Sequence, residues 1–138
     1  MLQRIDYLLG EQVDFALETT LSTRSYVQLI RRAQTVGYTV NLFFVYLSSS
    51  EMAIERVAQR VRSGGHAIPV DVIHRRYGRS LLNLFQLYRP ICDLFLLVNN
   101  SGASPVQVAR GGKANTVVVY EQTLWEKLKN DYGSQREN

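Results

Sequence analysis

Glu18 is followed directly by Thr19 and Thr20, and Ser22 stands two residues further on. A carboxylate set among hydroxyls can orient a substrate hydroxyl, accept its proton, or hold a magnesium ion through water. The same residues have a second reading, in which Thr19, Thr20 and Ser22 cap the helix that follows while Glu18 faces solvent. The other chemical grouping is basic. Arg56, Arg60, Arg62, Arg75, Arg76, Arg79 and Arg89 all fall within the central third of the chain. Arg56 and Arg60 are four residues apart, as are Arg75 and Arg79, so each pair shares one helical face. Gly64-Gly65-His66 lies between the two pairs. Two helices joined by a glycine break make a mobile flap, and planar guanidinium groups suit phosphate oxygens better than ammonium groups do. The plainer reading of this cluster is a solvated face carrying ion pairs to Glu51, Glu55 and Asp71. His66 reads as an anion contact or as an ordinary loop residue.

Other patterns exclude chemistry. Gly111-Gly112-Lys113-Ala114 looks superficially like a phosphate loop. It lacks the upstream glycine at the required spacing, and Ala114 stands where serine or threonine is needed. His66 and His74 form no zinc-ligand spacing with the single cysteine, Cys92. No glycine pattern around any serine marks a hydrolase nucleophile. Among the basic residues the aromatic interleaving is limited to Tyr77, Phe85 and Tyr88, which disfavours stacking on single-stranded nucleic acid.

These groups must be positioned by a chain of 138 residues, 46% apolar and 20% charged, with a formal charge of +4. That is one soluble domain, able to bury about two-thirds of its unfolded surface. The longest apolar runs, Leu42 to Leu47 and Leu94 to Val98, are strand-sized and too short to span a membrane. Asp6 interrupts any secretory signal, and one unpaired cysteine fits a reducing cytoplasm. The clustered arginines imply a polyanionic partner.

Helical spacing covers Met1 to Leu9, with Gly10 as a stop. Val13 to Leu17 reads as a short buried strand ending at Glu18. Ser22 is placed to cap a helix that ends at Gly37, where a left-handed residue is wanted. Tyr38 to Leu47 reads as a central strand. Serines 48 to 50 offer caps for a helix over Glu51 to Arg62, broken by Gly64 and Gly65. Pro69 opens another helix that runs to about Tyr88 and stops at Pro90. Asp93 to Val98 is a third strand, followed by a hairpin of Pro105 to Arg110 with Thr116 to Tyr120. A last helix covers Gln122 to Leu128. Strands alternating with helices mean an α/β fold with a mostly parallel sheet, whose ligands sit at the carboxyl ends of the strands.

The run Phe15-Ala16-Leu17-Glu18-Thr19-Thr20-Leu21-Ser22, followed by Gly37-Tyr38 and Leu42 to Leu47, resembles the middle of bacterial zeta-toxin-like kinases. Arg60-Val61-Arg62-Ser63-Gly64-Gly65-His66-Ala67-Ile68-Pro69, with Ile73, Arg75, Arg76, Tyr77, Arg79 and Asn83-Leu84-Phe85, is similar to the lid of their subgroup described as predicted ABC-type ATPases. The resemblance covers residues 1–132, with a lid at about 56–89 and a polar tail at 133–138. It implies a three-layer P-loop kinase fold, a place in a toxin–antitoxin pair, and transfer of the γ-phosphate of ATP, with Mg2+, to a hydroxyl of a small acceptor. For zeta toxins proper that acceptor is UDP-N-acetylglucosamine. By position, Glu18 contacts the acceptor with Thr19 and Thr20 nearby. Arg62 and Arg75, or their neighbours Arg60 and Arg76, clamp ATP phosphates and act on the transition state.

The family pattern begins with a strand, a glycine-rich loop bearing lysine and serine or threonine, its helix, and a strand carrying an aspartate base. None of these is in the 138 residues, which implies an N-terminally shortened gene product with little or no kinase activity by itself. The absent first strand would lie between Val13–Leu17 and Tyr38–Leu47. Those two strands are therefore expected to close on each other, to receive another polypeptide, or to leave the chain poorly stable. Two further readings are a non-catalytic module that binds a nucleotide, RNA or a protein partner at the open sheet edge, and a split enzyme with its phosphate loop on a neighbouring polypeptide.

Overall fold

The computed structural model describes residues 2–113 and 115–133. Ala114 lies outside the described residues, as does the expected tail apart from Gly133. Helices α1 (Leu2–Glu11) and α2 (Tyr26–Thr35) precede strand β1 (Asn41–Tyr46). Helix α3 (Ser50–Arg62) and helix α4 (Val70–Asn83) follow, and α4 continues as a π-helical turn over Leu84–Tyr88. Strands β2 (Leu94–Asn99), β3 (Val106–Gly112) and β4 (Asn115–Val119) lead into α5 (Gln122–Leu128), which also ends in a π-turn, Lys129–Gly133.

The helix ends follow from side-chain and glycine chemistry. Ser49 caps α3 by accepting a hydrogen bond from the Met52 amide at 3.1 Å. Gly64, at φ +100°, closes the same helix. Its amide donates to the Val61 carbonyl at 3.0 Å, and the Gly65 amide donates to the Arg60 carbonyl at 2.7 Å. This paired closure satisfies carbonyls that the helix itself leaves open. The same closure ends α2, with Gly37 at φ +102° and the Tyr38 amide bonded to the Ala33 carbonyl at 3.0 Å. Gly10 does not stop α1, which runs to Glu11 before Gln12 turns left-handed at φ +57°.

The α/β class is as expected, but the sheet is mixed. Its order is β1-β2-β3-β4. β1 and β2 are parallel, with Asn41 opposite Leu94 and Tyr46 opposite Asn99. The β2–β3 and β3–β4 pairs are antiparallel, because the C-terminal hairpin supplies half of the strands. The mostly parallel sheet expected from the sequence is corrected accordingly. Two other expectations are also corrected. Residues 13–17 form no strand, Val13 is 43% exposed, and no strand among the described residues pairs with this segment. An apolar run becomes a strand only where a neighbour supplies the hydrogen-bond ladder. For the same reason β1 is an edge strand and not a central one.

Two apolar cores result. The main one packs Leu81, Leu84 and Phe85 against Phe95 and Leu97 of β2 and Trp125 of α5. Phe95 and Trp125 stack with ring centroids 6.1 Å apart at 12°. Such a pair contributes about 0.5–1.5 kcal/mol beyond the area it buries. The smaller core joins α1 to α2 through Ile5, Leu9 and Ala33, flanked by Phe15 and Tyr38. Tyr38 fastens it, its hydroxyl reaching the Leu8 carbonyl at 3.0 Å and the Val13 carbonyl at 2.9 Å.

Candidate nucleotide and acceptor cleft

Between the two cores runs a cleft of about 1800 Å³. The irregular segment 12–21 and α2 form one wall, and β1 with α3 and α4 forms the other. Glu18, Thr19 and Thr20 line the first wall; Arg56, Arg60 and Arg76 line the second. The carboxylate–hydroxyl group and part of the arginine cluster, far apart in sequence, thus border one space.

The hydroxyl loop is built locally and then pinned from a distance. Thr19 Oγ1 accepts from the Leu21 amide at 3.1 Å, and Thr20 Oγ1 lies 2.8 Å from Ser22 Oγ. Leu21 between them is buried at φ +59°, a left-handed conformation that costs a residue with a Cβ of order 1–3 kcal/mol. Asn83 Nδ2 holds it there by donating to the Leu21 carbonyl at 2.8 Å. The Tyr88 hydroxyl donates to the Thr23 carbonyl at 2.6 Å and accepts from the Tyr26 amide at 3.2 Å. Burial raises the pKa of that phenol, so it stays a donor. Ser22 consequently does not cap the helix. α2 starts three residues later, after Ser25, whose hydroxyl makes no cap bond and lies 2.9 Å from Thr23 Oγ1. Glu18 is exposed and forms no hydrogen bond or ion pair among the described residues.

The arginines separate into distinct environments. Arg56 is held at the cleft by a 3.0 Å bond from its guanidinium to the Asn100 carbonyl. Arg62 does not line the cleft and pairs with Glu55 at 3.2 Å. Arg75 and Arg79 face a separate small pocket with Ser22 and Thr23, and Arg76 borders both spaces. Arg89 turns away from all of these. Its guanidinium carbon lies 5.6, 5.7 and 5.5 Å from the rings of Phe85, Phe95 and Trp125, and burial lowers its pKa. Its place in a polyanion-facing cluster is corrected. Lys113 of the rejected glycine–lysine motif pairs with Asp93 at 3.3 Å. His66 is exposed in the α3–α4 connection, and His74 Nδ1 lies 2.7 Å from Ser50 Oγ.

Asn83 and Tyr88 organise the site without having been assigned a role from sequence. The legible signal was a polar Asn83 amid Leu81, Leu84 and Phe85, where burial obliges an amide to find a partner. Tyr77, whose hydroxyl donates to the Leu47 carbonyl at 2.6 Å, also lines the cleft, and burial raises its pKa.

No helix among the described residues is long and apolar enough to cross a membrane. No solved structure matches the chain. An uncharacterized protein of Haemophilus influenzae (strain ATCC 51907 / DSM 11121 / KW20 / Rd) is 32% identical over 71 residues, 51% of this chain and 51% of that protein. The chain therefore spans about half the length of the curated relative it matches. The family model described as Zeta toxin matches residues 1–89, which contain α1 to α4, both walls of the cleft and the hydroxyl loop. With that match extending over well more than half of its residues, the chain belongs to the zeta toxin family.

Proposed function

We propose that residues 1–132 form the acceptor side and lid of a kinase-like, nucleotide-binding domain in the three-layer P-loop arrangement, with the lid at about 56–89. Its reaction is transfer of a phosphoryl group from ATP to a hydroxyl of a small acceptor such as a UDP-amino-sugar. The observation that carries this reading is the cleft itself, with Glu18, Thr19 and Thr20 on one wall and Arg56, Arg60 and Arg76 on the other.

In this reading Glu18 contacts the acceptor and orients its hydroxyl for attack, the base being the aspartate of a strand that the 138 residues do not contain. Thr19 and Thr20 position the acceptor beside it. Arg60 and Arg76 fork onto nucleotide phosphates and stabilise the charge that develops during transfer. Arg62 and Arg75 enter the clamp only if the α3–α4 connection moves, since one is paired with Glu55 and the other faces the smaller pocket. The guanidinium groups fit a polyphosphate. A magnesium ion arriving with the nucleotide would be held mainly by phosphate oxygens and water, with Glu18 and its neighbouring hydroxyls as its protein contacts, since no group of three or more histidine, cysteine, aspartate or glutamate side chains that could hold a metal occurs among the described residues. No step is assigned to the metal.

The 138 residues contain no Gly-x-x-x-x-Gly-Lys-Ser/Thr loop, so the backbone cradle and the phosphate lysine are not among them. The chain by itself is accordingly proposed to transfer phosphate poorly or not at all. Calorimetric titration with ATP tests the reading. Salt-sensitive binding that weakens at least tenfold in Arg60→Gln/Arg76→Gln and persists in Glu18→Gln supports it. Nucleotide affinity indifferent to both arginines overturns it. A second reading, a strand-accepting protein module, is favoured by β1 being an edge strand of the sheet among the described residues, with Phe43 and Val45 leaving one of its faces exposed.

A further inference from the structure

Strand register sorts the side chains of the sheet into two faces. Phe43 stands beside Leu96, Leu96 beside Arg110, and Arg110 beside Val118. Residues paired in this way point to the same side, and every second residue along a strand shares that side. Tyr46, Phe95, Leu97 and Ala109 belong to the opposite set, and they pack with Leu81 and Trp125 in the main core. The first set stays in the open. Phe43 is 64%, Val45 50%, Leu94 47%, Val118 45% and Tyr120 47% exposed. Tyr120, just past β4, joins this face by lying 6.0 Å from the Arg110 guanidinium. A parallel pair such as β1–β2 is ordinarily covered on both faces. The five exposed side chains together leave roughly 500 Å² of apolar surface, a patch large enough on one chain to mark an interaction site. The four strands hold one charged residue, Arg110, and no aspartate or glutamate.

We infer that this face is where two copies of the chain associate, sheet against sheet, as a weak two-fold dimer. Area and charge select a second copy as the occupant. Two such faces withdraw about 1,000 Å² of apolar surface from water and, with their rims, about 1,200 Å², the lower bound for a specific complex. That size fits a reversible pair with a micromolar dissociation constant and not a permanent one. Stacked sheets lie about 10 Å apart with their strands within about 30° of each other. A two-fold axis parallel to the strands lays the β1–β2 half of one copy over the β3–β4 half of the other. The uncharged half then meets the half that holds Arg110, so each guanidinium lies over uncharged strands and keeps its own Tyr120. At its β1 margin the face adjoins the cleft, which Phe43 and Val45 also line, so association sets a second copy beside it. The inference does not depend on the kinase reading or on a strand joining β1, because it uses the face of the sheet and not the hydrogen-bonding edge.

Sedimentation equilibrium of the 138-residue chain tests this, at concentrations from about 1 to 300 μM that bracket a micromolar constant. The mass is expected to rise from one chain to two and to level off there. Phe43→Lys and Val118→Lys place a charge at opposite margins of the face, and each is expected to weaken association at least tenfold. Tyr7→Lys adds the same charge at an exposed aromatic of α1, away from the sheet, and is expected to dimerise as the unaltered chain does. Circular dichroism confirms that each variant is folded. A mass of one chain throughout overturns the dimer and leaves the face to a different polypeptide. Growth past two copies also overturns it, since a two-fold contact closes on itself. Weakening by Phe43→Lys without weakening by Val118→Lys overturns it by locating the contact at the edge of β1. Equal weakening by Tyr7→Lys overturns it as well, by making the effect one of net charge.

Discussion

The side-chain amide of Asn83 donates to the backbone carbonyl of Leu21 at 2.8 Å, joining positions 62 residues apart. One hydrogen bond from α4 thereby fixes the left-handed residue on which the loop between Glu18 and α2 turns. It also ties the wall bearing the hydroxyls to the helix bearing the arginines.

Replacing Asn83 by alanine is expected to cost about 1–3 kcal/mol, because the buried Leu21 carbonyl is left without its donor. Urea denaturation measures this.

The glycines between α3 and α4 give a second prediction. Gly64 sits at φ +100°, and a Cβ on Gly65 would lie 2.9 Å from the Arg60 carbonyl oxygen. Gly64→Ala and Gly65→Ala are each expected to destabilise the chain by about 1–2 kcal/mol. Thermal melting of both, beside Gly78→Ala as a reference with open space around its Cα, checks this.

Asp93 makes a pH prediction. Its carboxylate accepts from the Val40 amide at 2.7 Å and from Gln34 Nε2 at 3.1 Å, and it pairs with Lys113. The Val40 bond leads in holding its pKa below the ordinary carboxylate value. A carboxyl whose pKa is lower in the folded state stabilises that state above the unfolded value of about 3.9 and loses the contribution as pH falls through the folded one. Denaturation midpoints measured from pH 6 to pH 2 are expected to show this acid-side loss, with a shallower slope in Asp93→Asn.

Arg89 gives the fourth. Its Nε is buried without a hydrogen-bond partner among the described residues, while its guanidinium lies over three rings. Arg89→Met keeps the volume, removes the unsatisfied donor, and is expected to stay within about 1 kcal/mol of the unaltered chain. Arg89→Ala empties the space among Phe85, Phe95 and Trp125 and is expected to cost about 2 kcal/mol. Nucleotide binding should be unaffected by either change, which calorimetry verifies.

Elements specified by nearby residues were legible from sequence. Ser49 and Gly64 bound α3, Gly37 closes α2, and the glycines near 111 mark the C-terminal hairpin, because caps and turns are settled within a few residues. What depends on distant partners was not. Residues 13–17 have the apolar content of a strand but no neighbouring ladder in the described fold. Ser22 has the chemistry of a cap, yet Asn83 fixes the preceding turn so that the helix starts after Ser25. The arginines read as one cluster because spacing reveals a shared face and not what lies opposite it. Three-dimensional packing divides them between the cleft, the small pocket, Glu55 and an aromatic cage.

The unpaired edge of β1 among the described residues would couple stability to mass action if a strand were supplied to it. Strand Asn41–Tyr46 carries no charge, and its residues line the cleft together with Asp14 to Leu17. A polypeptide that completes the ladder there acts thermodynamically as a ligand of the folded state. Each tenfold rise in its concentration beyond the dissociation constant adds about 1.4 kcal/mol to the unfolding free energy. Where such a polypeptide binds, a melting temperature for this chain becomes a property of the mixture in which it is measured.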